Sequence, residues 1–71
     1  MDDTKLQQIR SDLLAVREAI TKSGGDPAKQ LSGYILSEDP IFIPDKDGAR
    51  SIIRRLERDD ILTALITEYF K

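Results

Sequence analysis

Chemistry in this sequence rests on carboxylates, lysines, arginines, hydroxyls and tyrosines, because its 71 residues include no histidine and no cysteine. The commonest metal ligands, the usual general base and the thiolate nucleophile are therefore missing. Each close pair of carboxylates lies where a helix is predicted to begin, and helix capping explains these pairs more simply than acid–base catalysis does: Asp2 and Asp3, Asp45 and Asp47, and Asp59 and Asp60. We expect a protein that is not an enzyme and has no metal site and no cofactor.

Four arginines form the one polar pattern with a definite spacing. Arg50, Arg54 and Arg58 lie four residues apart, a spacing that stacks them along one face of a helix, and Arg55 lies beside them. Guanidinium groups bind carboxylates and phosphates through paired hydrogen bonds, so the pattern fits a surface for an acidic or phosphorylated partner protein. It fits equally a solvated helix face that neighbouring acidic residues partly neutralise.

The overall charge and length exclude several classes of protein. Eleven basic and 13 acidic residues give a net charge of −2, which argues against nucleic-acid binding. A helix-turn-helix DNA-binding domain nevertheless remains the alternative function, because short helices with a basic one among them can enter a major groove. No apolar run approaches the roughly 20 residues of a membrane-spanning helix, and the first residues lack the pattern of a signal peptide. We expect a cytoplasmic protein without membrane insertion.

Apolar periodicity predicts a first helix up to about Lys22. Thr4, followed three residues later by Gln7, fits a capping box and is the predicted N-cap. Two glycines after Ser23 supply the left-handed conformation that ends helices. The residues that share the apolar face recur at steps of three and four: Leu6, Ile9, Leu13, Val16 and Ile20.

A second helix is predicted from Asp26 to about Ser37. Asp26 is a suitable N-cap, and Pro27 suits the first helical position. Gly33 inside this helix costs roughly 1 kcal/mol relative to alanine. We therefore expect another backbone to approach the helix closely at Gly33.

An apolar connector follows the second helix, between Glu38 and Asp47. Pro40 and Pro44 bracket three apolar residues, which forbids a continuous helix and favours an extended chain. Phe42 and Ile43 are expected to fill the core, and the alternative is that they form an exposed docking strip.

The last third of the sequence predicts two more helices. The third begins at Asp47 or Gly48 and runs to about Arg58, and Asp59 and Asp60 cap the fourth unless one continuous helix passes through them. The last segment is apolar over a wide arc: Ile61, Leu62, Leu65, Ile66, Tyr69 and Phe70. The prediction is a single all-α domain over residues 1–71, with about four short helices and a Pro-bracketed connector. Because a chain this short has a small core, we expect an intertwined homodimer whose last helix is buried by both subunits.

Residues 30–44, QLSGYILSEDPIFIP, resemble the signature stretch of the IreB/ReoM family of small regulatory phosphoproteins. The resemblance continues through Ala49-Arg50 and residues 53–59, and Tyr69-Phe70-Lys71 is similar to the family's closing Tyr-Leu-Lys. The structural motif that it implies consists of Gly33, Tyr34, Asp39, Pro40, Ile43 and Pro44.

This resemblance implies a non-enzymatic homodimer that a cell-wall-sensing Ser/Thr kinase of Gram-positive bacteria phosphorylates. In proteins similar to this one, contacts with regulators linked to a Clp protease control the degradation of a peptidoglycan-precursor enzyme. That control sets peptidoglycan synthesis and resistance to cell-wall antibiotics. A toxin-neutralising or assembly subunit is not distinguished from such an adaptor by the sequence.

Several positions depart from the family pattern. Glu38 replaces a common glycine, Asp45 stands where relatives often have a basic residue, and Gly48 stands where they have an acidic one. Relatives carry the phosphoacceptor threonine in a leader ahead of the first helix, whereas this sequence begins at about that helix. Thr4 is then the nearest candidate for phosphorylation, with N-capping as its alternative role. The arginines expected to bind a partner are retained: Arg50, Arg54, Arg55 and Arg58.

Overall fold

Four α-helices make up the fold, with short turns between the first and second and between the third and fourth, and the longer connector between the second and third. The computed structural model describes residues 2–71, and within that range no strand is formed. The helices are α1 (Asp3–Lys22), α2 (Pro27–Ser37), α3 (Ala49–Arg55) and α4 (Arg58–Tyr69), and a 3₁₀ turn (Pro40–Phe42) lies between α2 and α3. The predicted all-α class and the number of helices are therefore confirmed.

The N-cap of the first helix lies two residues earlier than predicted. The Asp2 carboxylate accepts a hydrogen bond of 2.8 Å from the backbone N–H of Lys5, so Asp2 is the N-cap. Thr4 lies inside the first turn, and its prediction as the N-cap is wrong because Asp2 already satisfies a free N–H there. The predicted end at Lys22 is confirmed, with Gly24 in the left-handed conformation beyond it.

Replacing Asp2 by alanine should therefore destabilise the protein, whereas replacing Thr4 should not. Asp2→Ala removes a cap and should lower the free energy of unfolding by about 1 kcal/mol. Thr4→Ala changes an exposed helical position and should stay within about 0.5 kcal/mol of wild type. Urea denaturation followed by circular dichroism measures both, and an equal loss for the two variants would contradict the assignment of Asp2 as the cap.

The core forms around α1. This helix is the longest of the four, and it packs against α2, α3 and α4. It contributes five of the buried apolar side chains, namely Ile9, Leu13, Val16, Ala19 and Ile20. The others come from α2, α3, α4 and the position just after the 3₁₀ turn: Tyr34, Ile43, Ala49, Ile53, Ile61 and Ala64.

The second helix follows its prediction closely. The Asp26 carboxylate accepts from the backbone N–H groups of Ala28 and Lys29 at 3.1 and 3.4 Å, and Pro27 is the first helical residue. The helix ends at Ser37 as predicted, and Glu38 follows with a positive φ of 61°.

The connector is not fully extended. Pro40–Phe42 form a 3₁₀ turn, which corrects the prediction. The turn forms because Pro40 suits a first helical position and because the Asp39 carboxylate accepts from the Ile41 N–H at 3.0 Å. The predicted interruption of the helix between α2 and α3 is confirmed.

The side chains after Pro40 divide between the core and the surface. Ile43 is fully buried, whereas Phe42 remains 38 % exposed, so the prediction that both fill the core is confirmed only for Ile43. A Cβ at Gly33 would lie 2.7 Å from the Phe42 ring. The close approach predicted at Gly33 therefore exists, but an aromatic side chain makes it rather than a backbone.

The last two helices are separate. The third ends at Arg55 rather than near Arg58, and Leu56 and Glu57 are extended. A continuous helix through Asp59 is therefore wrong. The fourth helix begins at Arg58 with Glu57 in the N-cap position, so Asp59 and Asp60 lie in its first turn instead of capping it. Their negative charge still suits the positive end of the helix dipole.

Candidate functional site

The four arginines do not share one helix face. Arg50, Arg54 and Arg55 belong to α3, but Arg58 is the first residue of α4. The predicted stack of three side chains along a single helix is therefore wrong, because the extended residues Leu56 and Glu57 interrupt the helix.

Two of these arginines hold the protein's own backbone. The Nε of Arg50 donates to the Ile43 carbonyl oxygen at 2.8 Å, which fixes α3 to the end of the connector. An Nη of Arg58 donates to the Ile35 carbonyl oxygen at 2.7 Å, and its other Nη lies 3.0 Å from a carboxylate oxygen of Glu38. Arg58 therefore joins the start of α4 to the end of α2, where helix carbonyls need donors.

The other two arginines face solvent at the end of α3. Arg54 and Arg55 are both exposed. An Nη of Arg55 lies 3.9 Å from Asp12, which is a long, weak ion pair at most. Arg54 lines a shallow polar cavity of about 460 Å³ that three carboxylates also line, those of Glu38, Glu57 and Asp59. These two guanidinium groups are therefore placed to bind carboxylates or phosphates of another molecule.

Three acidic side chains lie close together at the start of α4. Carboxylate oxygens of Glu57, Asp59 and Asp60 lie within 4.8 Å of one another. Asp60 already has a cation beside it, since its carboxylate lies 3.1 Å from Nζ of Lys5. The hydrogen bond and the charge of Asp60 raise the pKa of Lys5. This contact joins α4 to α1 and gives Asp60 a structural role.

An apolar groove of about 290 Å³ lies between α1, α2 and α4. The Arg10–Glu68 ion pair, 3.4 Å long, lies at its rim beside Arg17. Large exposed apolar side chains of α4 and of its C-cap continue this apolar surface: Leu62, Leu65, Ile66, Tyr69 and Phe70. The chain's own residues cover the side of α4 that holds Ile61 and Ala64 and leave this second side open.

The residues of the family motif meet at the junction of α2 and the connector. Tyr34 is buried, Asp39 caps the 3₁₀ turn that Pro40 begins, and Pro44 is half-buried after the fully buried Ile43. Together with Gly33 beneath the Phe42 ring, these positions form a structural unit that holds the connector on α2.

Sequence reasoning missed the structural role of Gln30. Its side-chain oxygen accepts from the Asp26 N–H at 3.0 Å, and its side-chain nitrogen donates to the Phe42 carbonyl at 2.8 Å. A Cβ at Gly25 would meet this side-chain oxygen, so any larger residue there would displace the Gln30 amide from these hydrogen bonds. A glycine directly before an N-cap was the only local signal for this packing.

Among residues 2–71, no helix is both long and apolar enough to cross a membrane. The family model of the IreB regulatory phosphoproteins matches residues 1–71. This match spans α1, the α2–connector unit and the arginine-bearing helices. The chain therefore belongs to the IreB family of regulatory phosphoproteins.

Proposed function

We propose that this protein is a non-enzymatic, dimeric adaptor that binds an acidic or phosphorylated partner protein through Arg54 and Arg55. The observation that carries the proposal is the difference in contacts between the two pairs of arginines. Arg50 and Arg58 bind backbone carbonyls of their own chain, whereas Arg54 and Arg55 extend into solvent. Membership in a family of regulatory phosphoproteins supports a role through contacts with other proteins.

The regulated process in this proposal is peptidoglycan synthesis in the cytoplasm of a Gram-positive bacterium. The sequence resemblance supports a position downstream of a cell-wall-sensing Ser/Thr kinase and an effect on Clp-dependent degradation of a precursor enzyme. Control of that degradation would change resistance to cell-wall antibiotics.

Thr4 is the phosphoacceptor that we propose for the described part of the chain. It is exposed in the first turn of α1, and the Asp2 cap leaves its hydroxyl free of the capping role. A phosphate at a helix N-terminus gains from the helix dipole, although Asp2 and Asp3 repel it.

The open side of α4 and the adjoining groove support the homodimer. Four large apolar residues of α4 and Phe70 after it remain exposed in a domain whose core is small. A second copy that covers this side would bury α4 between two subunits and add apolar contacts that one chain lacks.

The alternative function, helix-turn-helix DNA binding, has weaker support. Its basic helix would be α3, which has only seven residues, and Arg50 in that helix already binds the Ile43 carbonyl. Affinity for duplex DNA that falls steeply as salt rises would favour this alternative, and no binding at low salt would exclude it.

Charge reversal at the two exposed arginines tests the adaptor. Arg54→Glu with Arg55→Glu should reduce partner capture from a Gram-positive lysate by about tenfold or more, because like charges would then face the acidic partner. The control reverses two other basic residues, Lys22→Glu and Lys29→Glu, and should capture the partner normally. Quantitative mass spectrometry measures the capture, and circular dichroism confirms that both proteins fold. Full capture by the folded Arg54/Arg55 variant would refute the proposed surface.

Sedimentation velocity at micromolar concentration tests the dimer. The wild type should sediment as a dimer, and Ile66→Glu should weaken association by about tenfold or more because it places a charge in the proposed interface. Thr67→Glu adds the same charge to the next residue of α4, which is also exposed but polar, and should have a smaller effect. A wild-type protein that sediments as a folded monomer would contradict the dimer.

A further inference from the structure

The two most exposed aliphatic side chains of residues 2–71 lie at either end of the turn from α2 into the connector. Leu36 is 84 % exposed and Ile41 is 72 % exposed. Neither lines the groove between α1, α2 and α4. They therefore form an apolar surface apart from the open side of α4.

Phe42, which is 38 % exposed, is a neighbour of both residues, because its ring lies against the α2 face of Leu36 and Ile41 precedes it in the chain. The ring lies over Gly33, and Leu36 follows Gly33 by three residues, which places both on the same face of α2. Ile41 precedes Phe42 in the 3₁₀ turn. We call Leu36, Ile41 and Phe42 the connector patch.

The segment that contains Ile41 and Phe42 is acidic in sequence, and two cations of the chain lie against it: Arg50 at the Ile43 carbonyl oxygen and Arg58 at the Glu38 carboxylate. Residues 38–47 contain four acidic residues and one lysine. The whole chain has 13 acidic and 11 basic residues, so the other 61 residues hold nine acidic and ten basic ones. The net negative charge of the protein therefore lies in these ten residues. Two of the four acidic side chains, Asp45 and Asp47, lie exposed beyond the buried Ile43.

We infer that the connector patch binds a basic segment of a partner protein, in which lysines or arginines flank a large apolar residue. The apolar residue packs against Ile41 and Phe42, and the basic residues lie near Asp45 and Asp47. Charge complementarity favours this partner, because the carboxylates attract a basic segment and do not attract an acidic or neutral one. The inference goes beyond the adaptor function proposed for Arg54 and Arg55, since those cations require a partner of opposite charge.

Selection from a library of random twelve-residue peptides tests the inference with the full chain as bait. A parallel selection uses Leu36→Ser with Ile41→Ser, two exposed changes that leave the buried core intact. Peptides enriched on the wild type alone should have an excess of lysine and arginine and at least one large apolar residue. Enrichment of acidic peptides, or of the same peptides on both proteins, would overturn the inference.

The best enriched peptide, labelled with fluorescein, then serves as the probe in fluorescence polarisation. Leu36→Ser with Ile41→Ser should weaken its binding by about tenfold or more. Asp45→Asn with Asp47→Asn should weaken it by about threefold or more at low salt, and this difference should vanish at high salt. The Arg54/Arg55 reversal should not weaken binding, which separates this test from that of the adaptor surface.

Two controls separate the connector patch from other apolar surfaces. Ile66→Ser, on the open side of α4, should leave peptide binding unchanged. A loss of binding in this variant equal to that in Leu36→Ser with Ile41→Ser would place the peptide on α4 and overturn the inference. So would dissociation of a wild-type dimer by Leu36→Ser with Ile41→Ser in sedimentation velocity, since a second copy would then occupy the patch.

Discussion

Replacing Ile43 by alanine should lower the free energy of unfolding by about 2–5 kcal/mol. Ile43 is fully buried, and its loss removes apolar contacts and leaves a cavity in a core that has few other members. Because domains of this size are stable by only about 5–15 kcal/mol, the loss is a large share of the total. The melting temperature should fall by about 8 °C or more.

Ile41→Ala is the matched control for Ile43→Ala. It makes the same chemical change two residues away, at a side chain that is 72 % exposed, and should cost less than about 0.5 kcal/mol. Urea denaturation followed by circular dichroism gives both values, with every protein at one concentration because the proposed association would contribute to stability. Equal losses for the two variants would mean that Ile43 is not the residue that anchors the connector.

The helix boundaries that follow from local interactions could be predicted from the sequence. Asp26 and Pro27 start α2 through contacts within three residues, and Gly24 ends α1 by adopting a left-handed conformation. Thr4 shows the limit of such reasoning, because Asp2 offered an equally good cap two residues earlier. Local patterns determine that a helix begins, and competition between neighbouring caps determines where.

The roles of the arginines could not be predicted, because distant parts of the chain set them. Arg58 binds the carbonyl of Ile35, 23 residues earlier, and Gln30 reaches Phe42 across 12 residues. The spacing of four residues indicated one helix, and neither glycine nor proline marks the interruption after Arg55. The sequence identified the four arginines as a group, but only the tertiary contacts separate the two that hold the fold from the two that face solvent.

The sequence predicted which segments are apolar, but not which of their side chains one chain buries. The wide apolar arc of α4 indicated burial on two sides, and one chain covers just the side with Ile61 and Ala64. For the connector, the sequence offered core packing and a docking strip as alternatives. In the structure, Ile43 packs in the core and Ile41 lies at the surface. The two side chains differ because Ile41 lies within the 3₁₀ turn and Ile43 follows it.

The contact between Gly33 and Phe42 gives the second large prediction, in which the same substitution changes stability in opposite directions. Gly33→Ala should destabilise the wild type, because its Cβ would lie 2.7 Å from the Phe42 ring and would force that ring to move. Overpacking of this kind costs about 1–3 kcal/mol and outweighs the gain of up to about 1 kcal/mol from alanine's higher helix propensity.

In a Phe42→Ala background, Gly33→Ala should instead stabilise the protein by up to about 1 kcal/mol, because the ring is gone and only the helix propensity remains. The double-mutant cycle should therefore give a coupling energy of about 1–3 kcal/mol, measured by urea denaturation. Ser32→Ala, at an exposed position of the same helix, should show no dependence on residue 42. If Gly33→Ala stabilises both backgrounds equally, the ring moves aside at no cost, and the glycine is not required by the packing of the connector on α2.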